Sequence, residues 1–215
     1  MLCQPYTTAR ISKAILDRSS GVVTHTGVIE LKGYDGGRFS AEEPFPLQSK
    51  VKVSADAENR QLLSECHSAG HVVDLAMERA GAQMPPTKGY HFVQGPYVEY
   101  KGSIEAKERD DFLSRLKEAF AAIVEEDIEL NIETLAVEEA DKLCNRRAQN
   151  FNVKEFVDED DPNPTVRVVS VGGEMACPCG GTHIKSTGEL KRRYWGVKGL
   201  KCKKGVVRIR YGPSG

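Results

Sequence analysis

The sequence predicts an α+β protein, an antiparallel sheet packed with helices and preceded by a partial β-barrel. Three observations predict it. The first fifty or so residues hold short β-branched runs broken by turn signals, two stretches further on carry helical apolar spacing, and strand-like runs close the chain.

The elements follow in order. RISKAIL (10–16), GVVTHTGVIEL (21–31) and KVKVSA (50–55) read as strands, separated by DRSSG and GYDGG. Together they suggest a barrel-like region over 1–56, with the remaining domain over 57–215. From 56 to about 80, Leu62, Leu63, Val72, Val73, Leu75, Ala76 and Ala80 suit a mostly buried helix. Gly81 and the Pro85–Pro86 pair stop it. GYHFVQGPYVEYKG (89–102) reads as two strands around a Gly95–Pro96 turn. A helix is expected over 103–127, capped by Ser103, with Phe112, Leu116, Phe120 and Ile123 on one face. IELNIE (128–133) alternates like a strand, and 134–148 looks helical. VDEDDPNP (157–164) is an acidic loop, and TVRVVSV, KRRYWGV and GVVRIRYG are expected as strands.

Composition narrows the function classes. The chain has 215 residues, 40% hydrophobic and 28% charged, as in ordinary globular proteins. No apolar run approaches the roughly 20 residues of a membrane span. The first twenty residues lack an apolar signal core, so a cytoplasmic location is expected, without membrane or secretory partners. The six cysteines have neither the density nor the spacing of a secreted scaffold. In a reducing compartment, clustered cysteines more often serve metals or catalysis. The net charge of −1 hides an asymmetry: residues 191–211 hold nine of the 30 basic side chains and none of the 31 acids. Such a segment on an acidic body suggests a local polyanion contact.

His67 and His71 lie four apart on the expected helix, so their imidazoles project from one face, one turn apart. Far downstream, Cys179-Gly180-Gly181-Thr182-His183 offers a thiolate and an imidazole across two glycines that let the backbone curl. Either motif alone is most often surface or core histidine. Together they make a three-histidine, one-cysteine set well matched to one zinc ion per chain. Four protein ligands usually close a structural site, yet such sites come as tight knuckles, and this one would join a helix to a distant loop. The motif is His67-Ser-Ala-Gly-His71, without the glutamate that serves as general base in zinc peptidases. Cys177 is expected to be a bystander.

The pairing of HSAGH with CGGTH resembles the editing module shared by alanyl- and threonyl-tRNA synthetases, above all the free-standing alanyl-tRNA editing (AlaX) proteins. The resemblance runs along most of the chain. Asp56 and Arg60 in ADAENR match the approach to the HxxxH motif, and GGTHIKSTGELK with the closing basic strands matches the C-terminal part. It implies a fold of the synthetase second-additional-domain type and a zinc site at His67, His71, Cys179 and His183. The implied activity is hydrolysis in trans of serine or glycine wrongly esterified to alanine tRNA. Three departures stand out: only Gln4-Pro5 is similar to the family's glycine-rich opening with its pocket glutamine, and Ser68 and Gly70 replace the usual threonines.

Such an enzyme has a chemical rationale, because a synthetase pocket rejects glycine and serine only weakly. Zinc can activate water and polarise the ester carbonyl, with Cys179 as the ligand that yields. Backbone N–H groups of Gly180, Gly181 and Thr182 can face the oxyanion, or shape only the turn. Thr182, or a residue of the early strands, can bind the serine hydroxyl. Lys191, Arg192, Arg193, Lys198, Lys201, Lys203 and Lys204 are the expected tRNA contacts at the acceptor end. Tyr194 and Trp195 are stacking candidates, with a core role for Trp195 the competing reading. Two alternatives stay open: a zinc-stabilised RNA-binding module without hydrolysis, and an editing protein for Ser-tRNA(Thr).

Overall fold

The computed structural model describes residues 6–17, 19–32, 48, 50–146, 151–157 and 162–214. The chain divides into two compact units, 1–54 and 55–215. In the first, β1 (Tyr6–Leu16) and β2 (Val23–Lys32) pair antiparallel with a bulge between Ile11 and Lys13. Asp17 shapes the connection by accepting from the Ser19 backbone N–H and the Ser20 hydroxyl. Among the described residues this is a two-stranded sheet and no barrel closes. KVKVSA, expected as a strand, is not one. Val51 and Val53 there are 61% and 87% exposed, so the alternation has no apolar surface to bury against.

The second unit is built around α1 (Ala57–Arg79). Asp56 caps it, its carboxylate accepting from the Asn59 N–H at 2.9 Å, as short polar residues do at helix starts. The helix is buried from Ser64 to Met77 except at His67 and Asp74, and Cys66, Ala69, Val72, Val73, Leu75 and Ala76 are fully enclosed. Gly81, at φ +90°, takes the left-handed conformation that ends it.

Against α1 lies a four-stranded antiparallel sheet in the order β3 (Pro86–Tyr90), β4 (Tyr97–Lys101), β9 (Val206–Gly212), β8 (Gly196–Lys203). Its inner face carries Val98, Tyr100, Val207, Ile209 and Tyr211, all buried. A second antiparallel sheet comprises β5 (Leu130–Ala136), β6 (Thr165–Val171) and β7 (Met175–Pro178), with α3 (Val137–Cys144) packed on it. The helix α2 (Arg109–Glu126) buries Phe112, Leu116, Phe120 and Ile123, the face the spacing predicts. The α+β class with antiparallel sheets is thus the observed one.

Several boundaries differ. Ser103 does not cap α2; a 3-10 turn over Ala106–Glu108 precedes it. KRRYWGV is no strand at its start: Thr187–Arg193 form a 3-10 helix, Tyr194 takes φ +51°, and β8 begins at Gly196. A buried carboxylate explains the departure. Glu65 of α1, fully buried, accepts from Arg193 Nη1 at 2.5 Å and from Trp195 Nε1 at 2.9 Å. A buried charge needs such partners, and holding both side chains inward bends the segment out of strand geometry. The acidic loop over 157–164 falls partly outside the described residues.

Candidate metal centre

The two motifs meet. One donor atom from each of His67, His71, Cys179 and His183 lies within 4.8 Å of the other three, and the group can hold a metal ion. His71 Nε2 is 3.1 Å from His183 Nε2, while Cys179 Sγ is 3.3 Å from His67 Nε2 and 3.6 Å from His183 Nε2.

Local structure explains why the loop reaches the helix. The Cys179 N–H donates to the Arg167 carbonyl at 2.9 Å, continuing the β6–β7 ladder, and the Arg167 guanidinium donates to the Cys179 carbonyl. Ser68, fully buried on α1, accepts from the Ile184 N–H at 3.1 Å, and the Ser64 hydroxyl donates to Thr182 Oγ1 at 3.0 Å. These bonds pin the loop on both sides of the cluster. Gly181 is required by contact: a Cβ there would overlap the His67 ring. Gly180 has open space at the same point.

The electrostatics favour neutral donors. Burial lowers the pKa of His67 and depresses that of His71 well below the usual imidazole range, and it brings His183 down to about 3. The neighbouring imidazoles and Arg167 push His71 and His183 the same way. Burial raises the Cys179 thiol, with the Gly181 N–H and Arg167 acting against it. Three neutral imidazoles and a thiol converge, and His183 Nδ1 is buried without a hydrogen-bond partner. Hydrogen bonds within the cluster therefore do not satisfy it. A cation between the donors answers the crowding of lone pairs, and the donor set fits a borderline-soft divalent ion.

Three further residues surround the cluster, and two of them, His91 and Arg167, escaped the sequence reading. His91 brings its ring to 4.7 Å from that of His67, and its Nδ1 lies 2.6 Å from the Tyr211 hydroxyl. That hydroxyl donates to the Cys66 carbonyl at 3.1 Å, so it must accept from His91, which fixes the proton on Nδ1 and leaves Nε2 with the lone pair. Gly70 and Gly89 make the room, since a Cβ at either would overlap the His91 ring. Cys177, expected as a bystander, sits 3.4 Å from His71 Nδ1. Arg167 is the third. Gly70 and Gly89, which make room for its ring, were the only trace of His91 in the sequence, and Arg167 left none.

The remaining candidates are placed as follows. Gln4 lies outside the described residues. Asp56 is the cap of α1. Lys191 pairs with Glu125 at 2.8 Å, Arg192 with Glu58 at 2.7 Å, and Arg193 with Glu65 and Glu58. Lys198 donates to Ser214. Lys201, Lys203 and Lys204 are exposed, as is Tyr194, while Trp195 is only 5% exposed and belongs to the core.

Comparison with known proteins agrees with this geometry. The family described as the threonyl and alanyl tRNA synthetase second additional domain matches residues 166–210. The AlaX-M alanyl-tRNA editing protein of Methanosarcina mazei is 31% identical over 150 residues, covering 69% of this chain and 56% of that protein. The AlaX-M of Methanosarcina barkeri is 32% identical over 153 residues, covering 71% and 57%. The alanine–tRNA ligase of Thermofilum pendens is 27% identical over 224 residues, covering 92% of this chain and 22% of the ligase. The chain spans a little over half the length of these AlaX-M relatives. Residues 166–210 thus match the synthetase second additional domain, and the chain brings a histidine–cysteine cluster together. It is a homologue of the AlaX-M alanyl-tRNA editing proteins, related to the editing domain of the alanyl synthetases.

Proposed function

We propose that the protein is an aminoacyl-tRNA deacylase that hydrolyses the ester of mischarged alanine tRNA, Ser-tRNA(Ala) or Gly-tRNA(Ala), at a zinc site of His67, His71, Cys179 and His183. The observation that carries this reading is the convergence of those four donors in a chain homologous to alanyl-tRNA editing proteins.

When bound, zinc supplies Lewis acidity toward the ester and toward the attacking water. The chain's own groups do the rest. Burial keeps the imidazoles neutral, so their lone pairs are available without prior loss of a proton. His91, neutral with its pKa brought down to about 4, has its ring 4.7 Å from that of His67 and keeps a lone pair on Nε2 that can accept a proton or orient a hydroxyl. The backbone N–H groups of Gly180 and Thr182 offer donors for a developing oxyanion. Thr182, its hydroxyl oxygen accepting from Ser64, keeps its own proton for a substrate hydroxyl.

The test is release of amino acid from Ser-tRNA(Ala), Gly-tRNA(Ala) and Ser-tRNA(Thr) by the zinc-loaded protein. Release from the alanine tRNAs is expected. Release from Ser-tRNA(Thr) alone would reassign the substrate, and no release from any would leave an RNA-binding module.

A further inference from the structure

The four-stranded sheet has an outer face that β-pairing defines residue by residue. Residues opposite one another in register share a face, and alternate residues along each strand point away from α1. Tyr97 stands opposite Arg210, Glu99 opposite Arg208 and Lys101 opposite Val206. On β8, Gly199 faces Arg210, Lys201 faces Arg208 and Lys203 faces Val206. On β3, Tyr90 faces Tyr97 and Lys88 faces Glu99. The outer face thus collects Lys88, Lys101, Lys201, Lys203, Arg208 and Arg210 against the single acid Glu99. Arg208 holds that acid through Nε and Nη2 at 2.8 and 2.6 Å while lying 4.1 Å over the Tyr97 ring. The intervening residues Val98, Tyr100, Val207, Ile209 and Tyr211 are the buried inner face.

We propose that this outer face receives the sugar–phosphate backbone of an RNA duplex, the acceptor stem of the tRNA. The proposal rests on the function above for the choice of tRNA. Charge complementarity carries it. Lys88, Lys101, Lys201, Lys203 and Arg210 are exposed and make no ion pair among the described residues. By contrast, Lys191, Arg192 and Arg193, equally basic in sequence, are held by Glu125, Glu58 and Glu65. Cations two apart on a strand stand about 6.8 Å apart and neighbouring strands about 4.8 Å apart, a lattice of positive charge that can meet several phosphates of a duplex at once. An acidic protein fits less well, because the aromatic rings of the face gather toward its β3 edge and its β8–β9 half presents lysine and arginine without an apolar centre of the kind that anchors protein interfaces.

The face also has a direction. Its β3 edge ends at Tyr90, which stacks on Tyr97 at 5.2 Å and meets the exposed Phe92 at 4.8 Å. The residue between Tyr90 and Phe92 is His91, whose ring contacts His67. A duplex lying over β8 and β9 therefore delivers its unpaired end across aromatic rings to the metal cluster, where stacking on rings suits unpaired bases.

The test uses fluorescence anisotropy with a synthetic RNA hairpin, not aminoacylated, that ends in a single-stranded acceptor tail, titrated between about 50 and 200 mM salt. The variant K201Q/K203Q/R210Q removes three exposed cations. It should bind at least about tenfold more weakly at low salt, and flatten the salt slope by about 2 to 3, near 0.9 per lost phosphate contact for B-DNA and about 0.7 for single strands. A control, K107Q/K117Q/K142Q, removes three exposed lysines on other elements and should bind like the parent. If the sheet variant binds the hairpin with unchanged affinity and slope, the proposal is overturned, as it is if the parent protein binds poly-glutamate but no hairpin. A parent protein that grips the hairpin through these residues yet releases no amino acid supports the surface and removes the deacylase reading.

Discussion

His71 Nε2, on a helix, faces His183 Nε2, on a loop 112 residues further along the chain, across 3.1 Å. Burial makes both imidazoles neutral, so at most one can donate to the other, and His183 Nδ1 gains no partner from the arrangement. A cation shared with His67 and Cys179, as proposed, would resolve it. His183→Ala should therefore weaken zinc binding in a chelator competition by more than the roughly 10–100-fold typical of losing an outer-shell partner. Equal affinity in variant and parent would place the ion elsewhere.

Two adjacent glycines separate geometry from flexibility. Gly181→Ala places a Cβ in the His67 ring, whereas Gly180→Ala meets nothing within 4 Å. Overpacking of this kind costs about 1–3 kcal/mol. Urea unfolding of the metal-loaded protein should show that loss for Gly181→Ala, with weaker zinc retention, and almost none for Gly180→Ala. Similar losses for both would mean that the motif needs its glycines for backbone freedom alone.

Arg193 balances a buried charge. Its Nη1 lies 2.5 Å from the fully buried Glu65 carboxylate, to which Trp195 also donates. Arg193→Ala leaves that carboxylate with no cation, a defect that costs about 3–5 kcal/mol in buried pairs and somewhat less here, since Arg193 keeps some solvent contact. Denaturant melts should register a loss of this order, and Arg192→Ala, at an exposed pair, should lose about 1 kcal/mol or less. The reverse ranking would contradict the placement of Glu65.

Zinc affinity should rise with pH. The histidines, held below the usual imidazole pKa, are already neutral near neutrality, while burial raises the Cys179 thiol, which must lose its proton to bind. One proton leaves per ion, so the binding constant should climb about tenfold per pH unit between roughly pH 6.5 and 8.5. Calorimetry in buffers of different ionisation heat reads the proton count directly. A count near zero would mean that Cys179 is not a ligand or is already ionised.

Much of this was legible in the sequence because the signals were local. Four-residue spacing on a helix puts His67 and His71 on one face, and glycines inside CGGTH announce a tight loop. The face of α2 followed from Phe112, Leu116, Phe120 and Ile123 alone. What stayed hidden depended on distant partners. KRRYWGV alternates well enough to pass for a strand until Glu65, some 130 residues away, draws Arg193 and Trp195 inward. The KVKVSA pattern was equally good, yet among the described residues Val51 and Val53 find no apolar partner and stay exposed. His91 lies 24 residues from the His67 whose ring it meets, and the β3–β4 pairing just before it helps to bring it there. The basic segment likewise divided into a paired half and an exposed half by contacts that composition does not record.

The central claim is that one ion is held by three imidazole nitrogens and one thiolate sulfur. X-ray absorption at the zinc edge of the purified, zinc-loaded protein tests it most directly. The account predicts a shell with one sulfur at about 2.3 Å and nitrogens at about 2.0–2.1 Å, the sulfur vanishing in Cys179→Ser. A shell of nitrogen and oxygen alone in the parent protein, or a sulfur that survives Cys179→Ser, would contradict it.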